Sequence, residues 1–227
     1  MIVDGNLLRQ IPSESPPKPR ELLMSQLPYM DLTFNLIGET LPFDHGYELF
    51  SAIAHFEPKL HTLDTLGIHT IAGIPKDGVI NLTQNSRLRV RIPVNQVHLV
   101  YPLAGKSLRI GKHTIRLGIP DICLLQPAEQ LRSRIVVIRG HEEPETFLVV
   151  AQRQLEQLGI QATASIPTKA NGKPIRKTIK IKRFTVVGFG LEVTNLSNED
   201  SLTLQIHGVG GKQKMGCGLF MPIQERQ

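Results

Sequence analysis

The chain has 227 residues, is 41% hydrophobic, and carries 26 Lys and Arg against 20 Asp and Glu, a formal net charge of +6. That length holds one large domain or two of roughly 100 residues. The apolar content excludes global disorder, and the basic balance points to an anionic partner, either nucleic acid or a membrane surface.

No apolar run approaches the ~18 residues that span a bilayer, so no membrane partner is expected. The opening "MIVDGNLLRQIPSES" lacks the basic-then-apolar order of a signal peptide. Cys123 and Cys217 stand far apart with no CxxC, which argues against a disulfide scaffold and a zinc–thiolate site. A cytoplasmic protein is expected. With no tryptophan and three tyrosines, an RNA partner would be held by shape and phosphate contacts more than by stacking.

Residues 1–28 contain Pro12, Pro16, Pro17 and Pro19, which forbid regular structure and read as a surface arm. In "YMDLTFNLIGETL" (29–41), Met30, Leu32, Phe34 and Leu36 alternate with Asp31, Thr33 and Asn35, the pattern of a half-buried strand. The period then changes. Leu49, Ala52, Ile53 and Phe56 fall at helical spacing, with Asp44 as N-cap and Pro58 as stop. "GIHTIAGI" (67–74) and "RLRVRIPV" (87–94) read as strands, 95–105 as a short helix closed by Gly105, and 106–120 as a strand or hairpin. The order is β-α-β-β-α-β, the ferredoxin-like pattern.

The theme returns after Pro127. A strand at 133–140 precedes a helix at 143–159 with an acidic start and Gly159 as stop. Strands follow at 161–166 and 177–193, then a capped helix at 198–208, a glycine-rich loop and the strand "GLFMPI". The expected fold is α+β: two tandem ferredoxin-like (RRM-like) domains, 29–126 and 127–227, behind an arm of residues 1–28, with a glycine-rich loop near the C-terminus.

That loop, "GVGGKQKMGCG", holds Gly208, Gly210, Gly211, Gly216 and Gly218 around Lys212 and Lys214. It is not a Walker A loop, since Gln213 follows Lys212 where Ser or Thr is required. A sharp helix-to-strand connection explains one or two glycines; five, with two lysines, point to a backbone that approaches phosphates closely. His45 falls in the first turn of the first helix, where unpaired N–H groups favour an anion and an imidazole can exchange a proton near neutral pH. Tyr47 could orient a substrate beside it. His61, on the loop after the helix, is the rival. His55 and His69 read as structural. No HExxH or close His pair is present, so neither a metal nor another cofactor is expected.

Arg87, Arg89 and Arg91 share one strand face, and Lys169, Lys173, Arg176, Lys177, Lys180 and Lys182 load a hairpin and its loop. Each cluster alone fits a solvated sheet face. Together with the glycine loop they outline a surface for folded RNA, with the hairpin suited to an A-form groove.

Across residues 30–222 the chain resembles the CRISPR-associated Cas-six endoribonucleases. The resemblance is carried by "DLTFNLIGETLPFDHGYELFSAI", "PKLH", "GIHTIAG", "SRLRVRIP", "LAGKSLRIGKHTIRLG" and "SRIVVIRG". The family's glycine motif, G-h-G-x₅-G-h-G, fits Gly208–Gly218. The resemblance implies tandem ferredoxin-like domains and metal-independent cleavage of repeat hairpins in precursor CRISPR RNA. The 2′-hydroxyl attacks its own 3′-phosphate, leaving a 2′,3′-cyclic phosphate. It further implies a histidine as general base or acid, here His45 or else His61, with Lys59 offsetting charge on the phosphorane. It also implies retention of the cut hairpin within a multisubunit surveillance complex. A non-cleaving subunit that only holds the hairpin is the alternative.

Overall fold

The computed structural model describes residues 28–223; the proline-bearing arm lies outside them but for Pro28. The first sheet is antiparallel, in the order β3-β6-β1-β8-β7. Its strands are β1 (Tyr29–Ile37), β3 (Gly67–Ile68), β6 (Arg87–Pro93), β7 (Ser107–Ile110) and β8 (His113–Leu124). A small second sheet, β2 (Thr40–Pro42), β5 (Val79–Asn81) and β4 (Ile74–Lys76), stands beside it. Asp77 and Gly78, both at positive φ, form the two-residue turn that twin-strand hairpins favour. The segment 67–74 is therefore not one strand: β3 ends at Ile68, and Ile74 begins a different sheet. Helix α1 (Gly46–Phe56) buries Leu49, Phe50 and Ile53 against this half.

The second half is built from β9 (Leu131–Val136), β10 (Thr163–Ser165), β11 (Arg176–Ile181), β12 (Phe184–Thr194) and β13 (Phe220–Pro222). The order is β10-β12-β9-β13, with β11 also paired to β12. Helices α2 (Pro144–Gln157) and α3 (Asn198–His207) connect the strands. The sequence predicts a capped start at 198; Ser197, one residue earlier, is the cap of α3 and accepts from the Asp200 amide. Each half has its own apolar core, one from Leu32 to Leu117 and one from Leu131 to Phe220.

β1 shows what joins them. Its apolar face is buried as the alternation predicts, but Asp31 and Thr33 on the other face are buried too. The second half covers them. Arg91, opposite Asp31 in the β1–β6 register, is 1% exposed. It donates from Nε and Nη2 to the two Asp31 carboxylate oxygens at 2.8 and 3.0 Å. Its Nη1 donates to the backbone carbonyls of Gln205 on α3 and Phe220 on β13, at 2.8 and 2.9 Å. This corrects the expectation that Arg91 faces RNA: its donors are spent inside the protein, bridging the two halves.

Removing one partner of such a pair leaves a buried charge alone. Arg91→Met is expected to cost roughly 3–5 kcal/mol in urea unfolding. A cost below ~1 kcal/mol would show that the bridge does not hold the halves together.

Candidate functional site

The glycine-rich loop is a folded element. Val209, Gly216, Cys217 and Gly218 are buried, and only Gly211 and Lys212 are exposed. Its amides are satisfied internally: Gly211 donates to Val137 O at 2.9 Å, Gly218 to Ile135 O at 2.8 Å and Gly210 to Gln154 Oε1 at 2.8 Å. Gln213, the residue that spoils the Walker pattern, is a strut: its Nε2 donates to His207 O at 2.6 Å.

The glycines serve this packing. A Cβ on Gly216, at φ +80°, would lie 2.5 Å from Thr70 Cγ2, and one on Gly208 would strike the Gly218 carbonyl. Gly210 and Gly218 face backbone carbonyls in the same way. This corrects the expectation that Gly208, Gly210, Gly216 and Gly218 leave room for a phosphate chain; only Gly211 has open space where its Cβ would be.

The loop sits against the start of α1. No side chain fits at Gly46, because its Cβ would meet the Met215 carbonyl. The N-cap is His45 rather than Asp44. Asp44 instead accepts from the Lys180 amide and so anchors the β11–β12 hairpin to the first half. His45 is 1% exposed, with Nδ1 2.9 Å from Pro42 O and Nε2 accepting from the Ile71 amide at 2.9 Å. Burial pushes its pKa down, as does the Arg134 charge, against the Pro42 hydrogen bond and Asp44. The expectation of a free imidazole in the first turn is corrected: His45 is a neutral bridge between β2 and the segment after β3.

His61 is placed differently. It lies on one helical turn, Lys59–Thr62, pinned by the buried Leu60. Its ring is exposed and tilts over Phe50 at 5.6 Å. Lys214, from the glycine loop, donates to the His61 carbonyl at 2.8 Å and lies 3.8 Å from Asp64. His61, Lys59, Lys212 and Lys214 thus belong to one edge of the molecule, where loop meets turn. Tyr47 does not join them; it lines a separate depression with Ser51, His55 and Arg109.

A second cationic surface lies between the halves. A cleft of about 1250 Å³ is lined by Arg89 from β6, Arg132 and Arg134 from β9, and Arg176 and Lys177 from β11. The Lys177 pKa is lowered by burial and then by the Arg134 and Arg132 charges, so the cations on this wall crowd one another. Arg132 relieves some of this by pairing with Glu192 across the β9–β12 ladder. Arg87 does not line this cleft; it donates to the Gln84 and Ser86 carbonyls. Lys173 sits in the exposed loop before β11, while Lys180 and Lys182 flank the exposed tip of the β11–β12 hairpin. The sequence-based reading missed Arg132 and Arg134. They alternate with Leu131, Ser133 and Ile135, the same period-two signal that singled out Arg87 to Arg91. Among the described residues, no three or more His, Cys, Asp or Glu are grouped to hold a metal ion, and no helix is long and apolar enough to cross a membrane.

The family model described as "Cas6 Crispr" matches residues 30–225. The chain belongs to the Cas6 family. It is 35% identical over 194 residues to the CRISPR-associated endonuclease Cas6 of Myxococcus xanthus (strain DK1622), covering 86% of this chain and 81% of that one. Among solved structures, one titled "CRISPR associated protein Cas6" aligns at TM-score 0.61 with 15% identity, over 86% of this chain and all of that one. The product of a Cas6-related gene from Pyrococcus furiosus aligns at 0.59 with 18% identity, over 87% of this chain and all of that one. At these identities the structures establish a shared mixed α/β fold. As a Cas6 member, the chain falls among the CRISPR RNA-binding, RNA-processing nucleases.

Two expected outcomes test the site's packing. Gly216→Ala should destabilise by about 1–3 kcal/mol through backbone strain, while Gly211→Ala should stay within about 0.5 kcal/mol, as read by thermal unfolding. The second concerns pH. Burial drives the His69 pKa down to about 3, helped by the Arg91 and Arg89 charges against Asp31. His69 and His45 fold as neutral rings, so the unfolded chain takes up protons first as pH falls below about 6.5. Stability should therefore drop progressively from pH 7 toward 4. Asp31 adds a further loss only below about pH 4: burial raises its pKa, but the hydrogen bonds and charge of Arg91 outweigh this and hold it low. His69→Asn should flatten the upper part of the curve; an unchanged pH profile in that variant would refute the assignment.

Proposed function

We propose that this chain is a metal-independent endoribonuclease that cleaves repeat hairpins of precursor CRISPR RNA, with His61 as the proton-transferring group. The observation that carries this is the exposed His61 imidazole, held on a turn that the cationic glycine loop grips through Lys214. In the proposed reaction the ribose 2′-hydroxyl loses its proton as its oxygen bonds to the adjacent phosphorus. The bond to the 5′-oxygen breaks, and that oxygen gains a proton. The products are a 2′,3′-cyclic phosphate and a 5′-hydroxyl. His61 serves at one of the two proton transfers, Lys59 offsets charge on the phosphorane, and Lys212 meets a flanking phosphate. The Lys180–Arg183 tip, with Phe184 exposed and capped by the Arg183 guanidinium at 5.1 Å, suits the groove of the RNA stem.

The two strand orders, β3-β6-β1-β8 and β10-β12-β9-β13, and the two separate cores support the reading as tandem ferredoxin-like units dividing near residue 127. Retention of the cut hairpin within a larger RNA-guided assembly is part of the same proposal. The crowded cleft cations favour a second reading, a subunit that holds RNA without cutting it.

Incubation with a hairpin repeat RNA in EDTA separates these. Cleavage should persist with EDTA and vanish when the scissile nucleotide is 2′-deoxy. His61→Ala should slow single-turnover cleavage by ~10²–10⁴ with binding retained. His45→Ala should lower stability yet keep the cleavage rate within a few-fold at a temperature where it is folded. Binding with no cleavage by the wild-type chain would favour the second reading.

A further inference from the structure

We infer that Lys214 is a positioning residue: it holds the turn that carries His61, and it is not a phosphate contact. The inference rests on the role proposed above for His61. The Lys59–Thr62 turn is too short to be stable alone, since one helical turn fixes several dihedrals for little hydrogen bonding. Its local bonds include Lys59 N to Glu57 Oε1, Leu60 N to Glu57 O, His61 N to Pro58 O, and Thr62 Oγ1 to Lys59 O, all within five residues of one another. Leu60 anchors one side in the core. Among the described residues, the Lys214 ammonium provides the one hydrogen bond reaching this turn from a distant part of the chain, 153 residues away.

The donor end is well founded. Lys214 lies in the short helical turn Gln213–Met215, closed by Met215 N to Lys212 O and Gly216 N to Gln213 O. That turn rests on Gly46 at the start of α1 and on Thr70 beyond β3, through contacts that admit no Cβ. One tether therefore registers the imidazole against the loop and both ends of the α1-to-β3 connection. The ammonium is directed at a carbonyl and toward Asp64, with 21% of the side chain exposed. Lys212, one turn-start earlier, is exposed and free to meet a phosphate. The two lysines of the loop thus divide their work.

The test compares wild type, Lys214→Met, Lys214→Arg, Lys212→Met and His61→Ala on a hairpin repeat RNA. Lys214→Met should lower the single-turnover rate at saturating RNA by ~10–100-fold, as a misplaced catalytic group does. Its Kd should stay within about two-fold and its salt dependence should not change. Lys214→Arg should recover most of the rate. Lys212→Met should instead weaken binding and reduce the slope of log K against log salt by ~0.7–0.9, one phosphate's worth. In the free protein, the His61 imidazole proton resonances should shift in Lys214→Met, with the other histidines unmoved. Wild-type cleavage by Lys214→Met overturns the inference, as does a lowered salt slope with the saturated rate intact. If His61→Ala cleaves normally, the catalytic assignment falls. The resonance shift then still decides whether Lys214 holds the turn: unmoved His61 resonances in Lys214→Met would overturn that as well.

Discussion

One guanidinium decides how the two halves of this molecule face each other. Arg91 satisfies a carboxylate from its neighbouring strand and two backbone carbonyls from the other half. Both ions are dry, so the pair is tolerated only while all partners are in place. The cleft beside it inherits its geometry from that constraint. Arg89, Arg132, Arg134, Arg176 and Lys177 come from three strands of two sheets, and they share a wall only because those sheets are held in one register. A flexible linker could not keep so many like charges this close.

The glycine loop extends the same logic along the border of that cleft, which Gly216 helps to line. It returns from α3, runs back along β9, touches α1 and the segment after β3, and ends in β13. Lys214 and the His61 turn, from distant parts of the sequence, meet there because the loop is packed in place. Its tip alone faces solvent, which confines any direct contact with RNA backbone to Gly211 and Lys212 and their immediate neighbours.

Much of this was legible beforehand. The strand of 29–37, the helix after it and the second half's succession of elements follow from hydrophobic period and capping residues. The glycine motif was visible, but its meaning was not. Periodicity cannot tell a glycine that admits a ligand from one that admits its own backbone, and four of the five are of the second kind. Arg91 was misread for a related reason. Alternation says that Arg87, Arg89 and Arg91 share a face, but not that the second half of the chain covers one end of it. Sequence ranks His45 ahead of His61, because a helix start favours an anion; the tertiary partners of His45, Pro42 and Ile71, argue for the reverse order. The apolar pattern of 67–74 likewise does not show that β3 pairs with β6 while Ile74 pairs with β5, so two strands of different sheets read as one.

The collision at Gly46 has a consequence for anyone wishing to reshape this protein's RNA preference. The frame of the loop is locked on both sides by backbone touching backbone, so its path cannot drift without remaking the first helix as well. Freedom to vary is left at the outward-facing tip and at the far end of the lysine-bearing hairpin, two small patches that can be rewritten independently. Retuning is therefore a matter of side chains on fixed mounts, and loop grafting from a distant relative would have to carry its docking partners along.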